Sequence, residues 1–211
     1  MGLFGPSPTL NDRGIDAFEK GEWKRARRLL EDAADERRAS GDYYLGLLYW
    51  RGLGGERDTR AAVACFERAA LDAYPPAQTA YGMALRSGIG VPKDDAAAMT
   101  HFRSAAGAGD RDAMIQLATM SEPDDARRWL LRAAELGHTP AMMNLSDLLM
   151  RKDAVDALAW LYTAVAVTGD DAARKCASKL AREMTAKEIE TAQKTGRAYA
   201  KAIRDQARAA R

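Results

Sequence analysis

The sequence predicts an all-α fold: a right-handed α-solenoid of about five antiparallel helix pairs with C-terminal capping helices. Three observations predict it. Alanine fills 43 of 211 positions while aromatic residues make up only 7%, and alanine is the strongest helix former whereas strands favour β-branched and aromatic side chains. A segment of the chain repeats itself at a fixed offset of 36 residues, the signature of stacked helical units. Inside each unit the apolar residues fall at helical spacing, on one face.

The offset is read most clearly between residues 41–76 and 77–112. Gly46, Gly52, Gly54 and Asp58 fall on Gly82, Gly88, Gly90 and Asp94, and Ala62, Phe66, Ala69 and Ala70 fall on Ala98, Phe102, Ala105 and Ala106. Each unit reads as two helices. The first of the 77–112 unit carries Ala77, Tyr81, Gly82 and Leu85 on one face, and the second carries Ala98, Phe102, Ala105 and Ala106. Asp58 and Asp94 stand where an N-cap carboxylate accepts the orphan amides of the second helix. Gly46 and Gly82 interrupt helices, which costs stability unless the partner helix comes close. Gly52, Gly54, Gly88 and Gly90 follow the first helices, where a positive φ reverses the chain.

The other units follow in order. Gly14 to Ala34 precedes them with Phe18, Gly21, Trp23, Ala26 and Ala33 at tetratricopeptide spacing. The unit from Ala113 lacks eight residues of the Gly-rich loop, so Glu122-Pro123 joins its helices directly, and the paired alanines return as Ala133 and Ala134. A fifth unit starts at Ala141, again with a short loop. Asp170 to Met184 reads as one further helix with Ala173, Ala177 and Leu180 on one side. Thr185 to Glu188 is a capping box, opening a helix of about 24 residues striped by Ile189, Ala192, Gly196, Tyr199 and Ile203.

The phrases LGLLYWRGLGGERD and YGMALRSGIGVPKD resemble the Sel-one-like repeat family, a subclass of tetratricopeptide-type helical repeats. The resemblance covers roughly Gly14 to Gly169, and the two units at 41–76 and 77–112 match best. It implies non-catalytic protein binding. Family members with a cysteine pair in each repeat are secreted and linked to β-lactam-like compounds, but this chain has only Cys65 and Cys176, so that property is not carried over. The expected organisation is one repeat domain, 1–211, with helical repeats at about 10–169 and capping helices at 170–211.

Composition narrows function further. Lys and Arg total 32 against 30 Asp and Glu, which removes the basic footprint of a nucleic-acid binder. The balance hides a split. Residues 170–211 hold 11 basic and 6 acidic side chains, net +5, leaving −3 for the remainder. No apolar run reaches the ~18 residues of a membrane span. The start of the chain, Met1 to Leu10, lacks a secretory signal pattern, and Pro6 stands where myristoylation after Gly2 wants Ser or Thr. A cytoplasmic location is expected.

Catalytic and metal chemistry find little support. His101 takes the place of Trp129 and Trp160 in later units and reads as a half-buried packing residue; His138 follows Gly137 in a turn and is expected to be exposed. Neither histidine has a second ligand at helical spacing. Cys65 reads as a small hydrophobe beside Phe66. Asp94-Asp95 and Asp124-Asp125 suit helix starts. No catalytic residue, metal or cofactor is expected.

Repeat stacks bind through their concave surface, which tetratricopeptide-type arrays line with the first helix of each unit. Helical phase places Tyr43, Leu47, Trp50 and Arg51 there, then Thr79, Met83, Arg86 and Ser87. Ile115 and Thr119 follow, with Met143, Asp147, Met150 and Arg151 in the last unit. Met114 and Met142 read as core. The function expected is a protein-interaction scaffold or adaptor, a monomer of bacterial type, holding a partner's peptide or helix in this groove. Trp50, Tyr43 and Met83 would anchor it, and Arg51, Arg86 and Arg151 would add charged contacts. The alternative is a regulatory subunit that contacts its partner through the basic helix 186–211.

Overall fold

The structure is a computed structural model that describes residues 7–33, 36 and 38–210. Gly2, Pro6 and Ala34 lie outside the described residues. Among the described residues there are twelve α-helices and no strand, in two compact units, Met1–Asp110 and Arg111–Arg211.

Unit 1 holds three helix pairs: α1 (Leu10–Glu19) with α2 (Trp23–Asp32), α3 (Ala39–Arg51) with α4 (Thr59–Leu71), and α5 (Pro75–Ser87) with α6 (Asp95–Gly107). Each second helix then packs on the first helix that follows it, α2 on α3 and α4 on α5, and the first helices touch in series. This is the expected repeat stacking. Asp58 accepts from the amides of Arg60 and Ala61, and Asp94 from that of Ala97, so both N-caps form as read. Gly52 and Gly88 end α3 and α5 at φ 67° and 69°.

The mid-helix glycines have the predicted cause. A Cβ on Gly46 would lie 2.5 Å from Phe66 Cε1, and one on Gly82 would lie 2.7 Å from Phe102 Cε1. The phenylalanine of each second helix therefore presses on the bare backbone of the first. Phe66 and Phe102 are buried, as are the paired alanines Ala69–Ala70 and Ala105–Ala106, whose small size lets the next helix approach.

Unit 2 holds α7 (Arg111–Thr119), α8 (Pro123–Glu135), α9 (Thr139–Leu149), α10 (Ala154–Thr168), α11 (Asp171–Ala181) and α12 (Ala186–Ala209). α7 pairs with α8 and α9 with α10, while α8 hands on to α9. Proline occupies the first turn of α8 and α9, where its missing N–H costs nothing. Met114 and Met142 are core, as expected. α11 ends at Ala181, three residues short of the predicted helix end.

The last helix forms with the expected 24 residues and with the Thr185–Glu188 capping box. Both α11 and α12 pack on α10. Gly196 is the crossing point: a Cβ there would lie 2.7 Å from the Ala159 carbonyl oxygen, and the Thr163 hydroxyl bridges the carbonyls of Ala159 (2.8 Å) and Gly196 (3.3 Å). Trp160 and Tyr199 stack with centroids 4.5 Å apart.

Candidate functional site

The fourteen residues expected on a binding face divide between the units. In unit 1, Arg51 and Met83 are exposed, and Met83 keeps 48% of its surface. Trp50 is half-buried, its ring 6.2 Å from that of Phe66 and covered by the Arg57 guanidinium at 5.9 Å. Leu47 and Arg86 are also half-buried. Leu47 and Met83 hold the same repeat position, so the exposed row of the first helix is correctly phased there.

One position is not. Tyr43 and Thr79, 36 residues apart, were both expected on the open face, and both turn inward. Tyr43 is half-buried among the rings of Tyr44, Phe66 and Tyr74, with the Tyr74 centroid at 5.5 Å. Thr79 is only 5% exposed and donates its hydroxyl to Asp110 Oδ1 at 2.9 Å. Tyr74 and Asp110 are themselves 36 residues apart, just before α5 and α7. In α3 and α5 the fifth residue of the first helix thus meets the residue that closes its own repeat. Ring stacking makes that contact in one repeat and a hydroxyl–carboxylate bond makes it in the next.

In unit 2, Asp147, Met150 and Arg151 are exposed while Ile115 and Met143 are half-buried. Met150 keeps 42% of its surface. It lies at the C-cap of α9 rather than within the helix.

The histidines divide. His101 is half-buried and meets Tyr81 edge-on at 5.0 Å, as expected, and burial lowers its pKa. His138 corrects its expectation of exposure: its side chain is 15% exposed, with Nε2 3.3 Å from Asp112 Oδ1. That contact holds the Asp112 carboxyl below the usual range. The turn before α9 tucks the imidazole inward because it occupies the repeat-closing place held by Tyr74 and Asp110. The shortened loop hides this equivalence in the sequence.

Cys65 is buried, and burial pushes its thiol up although Arg68 lies 3.4 Å from Sγ. Asp125 pairs with Arg128, and Asp95 with Lys93 at 3.2 Å, so these carboxylates serve helix starts. Among the described residues no three His, Cys, Asp or Glu side chains gather as a metal-holding group. No helix among them is long and apolar enough to cross a membrane.

Comparison with known proteins follows the same geometry. The Sel1 repeat model matches residues 39–74, 75–110 and 112–138, which are α3–α4, α5–α6 and α7–α8. No curated protein matches the chain. A Sel1 repeat protein from Oxalobacter formigenes is similar in structure, with TM-score 0.71, 21% identity, and coverage of 89% of this chain and 81% of that one. An immunity protein from Pseudomonas aeruginosa matches with TM-score 0.60 at 16% identity, over 95% of this chain and 88% of its own. A protective antigen of uropathogenic Escherichia coli strains, described as displaying an SLR fold, matches with TM-score 0.50 and 19% identity, over 87% of this chain and 50% of its own. Sel1 repeats generally act in protein interaction. Three matched repeats on helix pairs of the expected geometry show that residues 39–138 of this chain are built from Sel1 repeats.

Proposed function

We propose that this protein is a non-catalytic scaffold or adaptor that holds a peptide or helix of a partner protein against the open faces of its first helices. The observation that carries the reading is Met83, a large apolar side chain left 48% exposed on α5. Trp50 and Arg51 stand near the end of α3, which touches α5. A flexible thioether beside an aromatic ring and an arginine makes an adaptable contact surface. In unit 2, Met150 with Asp147 and Arg151 offers the same chemistry. Thr79 leaves the contact set, since it is enclosed, while Tyr43 is half-buried like Trp50. We also propose that the helix pairs and their caps work as one repeat domain, as a monomer in the cytoplasm, with a protein rather than a nucleic acid as partner. The test is a pull-down with the Trp50→Ala, Met83→Ala double variant. Partner capture is expected to fall at least tenfold, about 1.4 kcal/mol, and unchanged capture rejects the reading.

A second reading places the contact on α12, and it has its own observation. Lys194, Arg197, Lys201 and Arg208 are all exposed and fall within one arc of the helix. Deleting 186–211 would not isolate this surface, because α12 covers α10. Charge reversal at Lys194, Arg197 and Lys201 leaves the packing in place, and loss of capture in that variant alone favours the second reading.

A further inference from the structure

A cavity of about 410 Å³ lies within unit 2, where α12 passes beside α8 over the ends of α9 and α10. Its floor is apolar: Leu145, Leu149 and Trp160 are each no more than 4% exposed and still line it. One wall is α8, which presents Arg127, Leu131 and Glu135, each four residues after the last. That spacing puts the three on one helix face, in a line about 12 Å long. The opposite wall is α12, with Tyr199, Ile203 and Gln206. Arg127 acts on Tyr199, and Ile203 Cγ2 lies 3.4 Å from a Cβ placed on Gly137, just past the end of α8. The two walls therefore run in the same direction.

The groove carries charged side chains at both ends. Arg127 marks one end and Glu135 the other, both are exposed, and neither has a hydrogen bond or ion pair among the described residues. Asp156, also at the Arg127 end, accepts from the Tyr199 hydroxyl at 3.0 Å and keeps its charge beside Arg127. The volume is at the low end of the ~300–1,000 Å³ that ligand pockets span, room enough for a few side chains. An occupant that satisfies floor and ends together carries an apolar side chain in its centre, a carboxylate over Arg127 and a cation over Glu135. On a helix these three groups fall at four-residue spacing, mirroring α8.

We propose that the α8–α12 groove docks one amphipathic helix of a partner protein, with a leucine-sized anchor on Leu145, Leu149 and Trp160 and oppositely charged side chains paired to Arg127 and Glu135. This site is separate from the first-helix faces, so the Trp50 and Met83 variant leaves it untouched and the two readings fail independently. The helix-in-groove mode draws its affinity from the buried anchor and its direction from the rim charges.

The probes are two alanine-based helical peptides of about 17 residues, long enough to be helical in water. One carries Glu, Leu and Lys in that order at four-residue spacing, and the other carries Lys, Leu and Glu. Binding is read from the Trp160 indole N–H resonance of the full-length protein. Saturable shifts are expected, with one order preferred about tenfold and the preference inverted in the Arg127→Glu, Glu135→Arg double variant. An unmoved Trp160 signal, equal binding of both orders, or a preference that does not invert each overturns the proposal. Should the double variant lose its helical circular dichroism, Arg127→Gln and Glu135→Gln replace it. Each is expected to erase most of the preference, and a preference intact in both overturns the proposal.

Discussion

The Thr79 hydroxyl donates to Asp110 Oδ1 at 2.9 Å across 31 residues, tying the first turn of α5 to the residue that follows α6. Thr79 is buried and the acceptor is a carboxylate, so the bond is stronger than a neutral surface one. Thr79→Val keeps the shape and removes the donor, and should cost about 1.5 kcal/mol. Urea unfolding of both proteins checks this. A loss below a few tenths would show that the bond contributes nothing net.

Gly82 should resist replacement by the best helix former. Alanine there gains ~1 kcal/mol of helix propensity but sets a Cβ 2.7 Å from the Phe102 ring. Overpacking of this kind costs about 1–3 kcal/mol. Gly82→Ala is therefore expected to lower stability, and relief by Phe102→Leu in a double-mutant cycle identifies the ring as the cause.

Ala73 points the other way. It takes φ 56° in the turn after α4, where the 36-residue equivalent is Gly109 at φ 92°. A left-handed conformation costs an L-residue about 1–2 kcal/mol, so Ala73→Gly should raise stability, offset in part by the greater entropy of glycine in the unfolded chain. A rise in Tm is the expected result; a fall refutes the strain.

Tyr199 makes stability sensitive to alkali. Burial, then the hydrogen bond to Asp156, pushes its pKa up to about 12, against ~10 in the unfolded chain. The neutral phenol is the form favoured by folding, so its contribution is complete below pH 10 and is lost as pH rises towards 12. Wild type should therefore lose stability across that window faster than Tyr199→Phe does. Parallel curves would remove Tyr199 as the cause.

The acid side has its own marker. The His138 contact lowers the Asp112 pKa, so the stability it supplies is present above the unfolded value, ~3.9, and is lost as pH falls through the lower folded value. Asp112→Asn should flatten the stability profile below pH 4. The side chain is 71% exposed, so the effect is small, and chemical denaturation at several pH values is the suitable measurement.

The repeat geometry was legible because it is written twice. Gly46 with Phe66 and Gly82 with Phe102 stand at one offset, and a bare helix backbone opposite a ring has one physical reading. Exposure was less legible. Phase correctly placed Met83 outward, but the burial of Tyr43 and Thr79 depends on Tyr74 and Asp110, which close the same repeats 31 residues further along the chain. His138 escaped for the same reason, sharpened by the eight missing loop residues that shift its register. The α8–α12 cavity had no sequence signal, since it arises from where α12 crosses α10 and not from any motif.

Gly196 at that crossing has a consequence for how unit 2 comes apart. In stacked repeats each element is held only by its neighbours, and a terminal one by fewer of them. α10 is held by Thr163 and by the Trp160–Tyr199 stack under α12, so its amides are expected to exchange after the last helix has lifted. The crossing works as a latch that sets the sequence of events: the outermost layer lifts first, and the buried helix becomes accessible only afterwards.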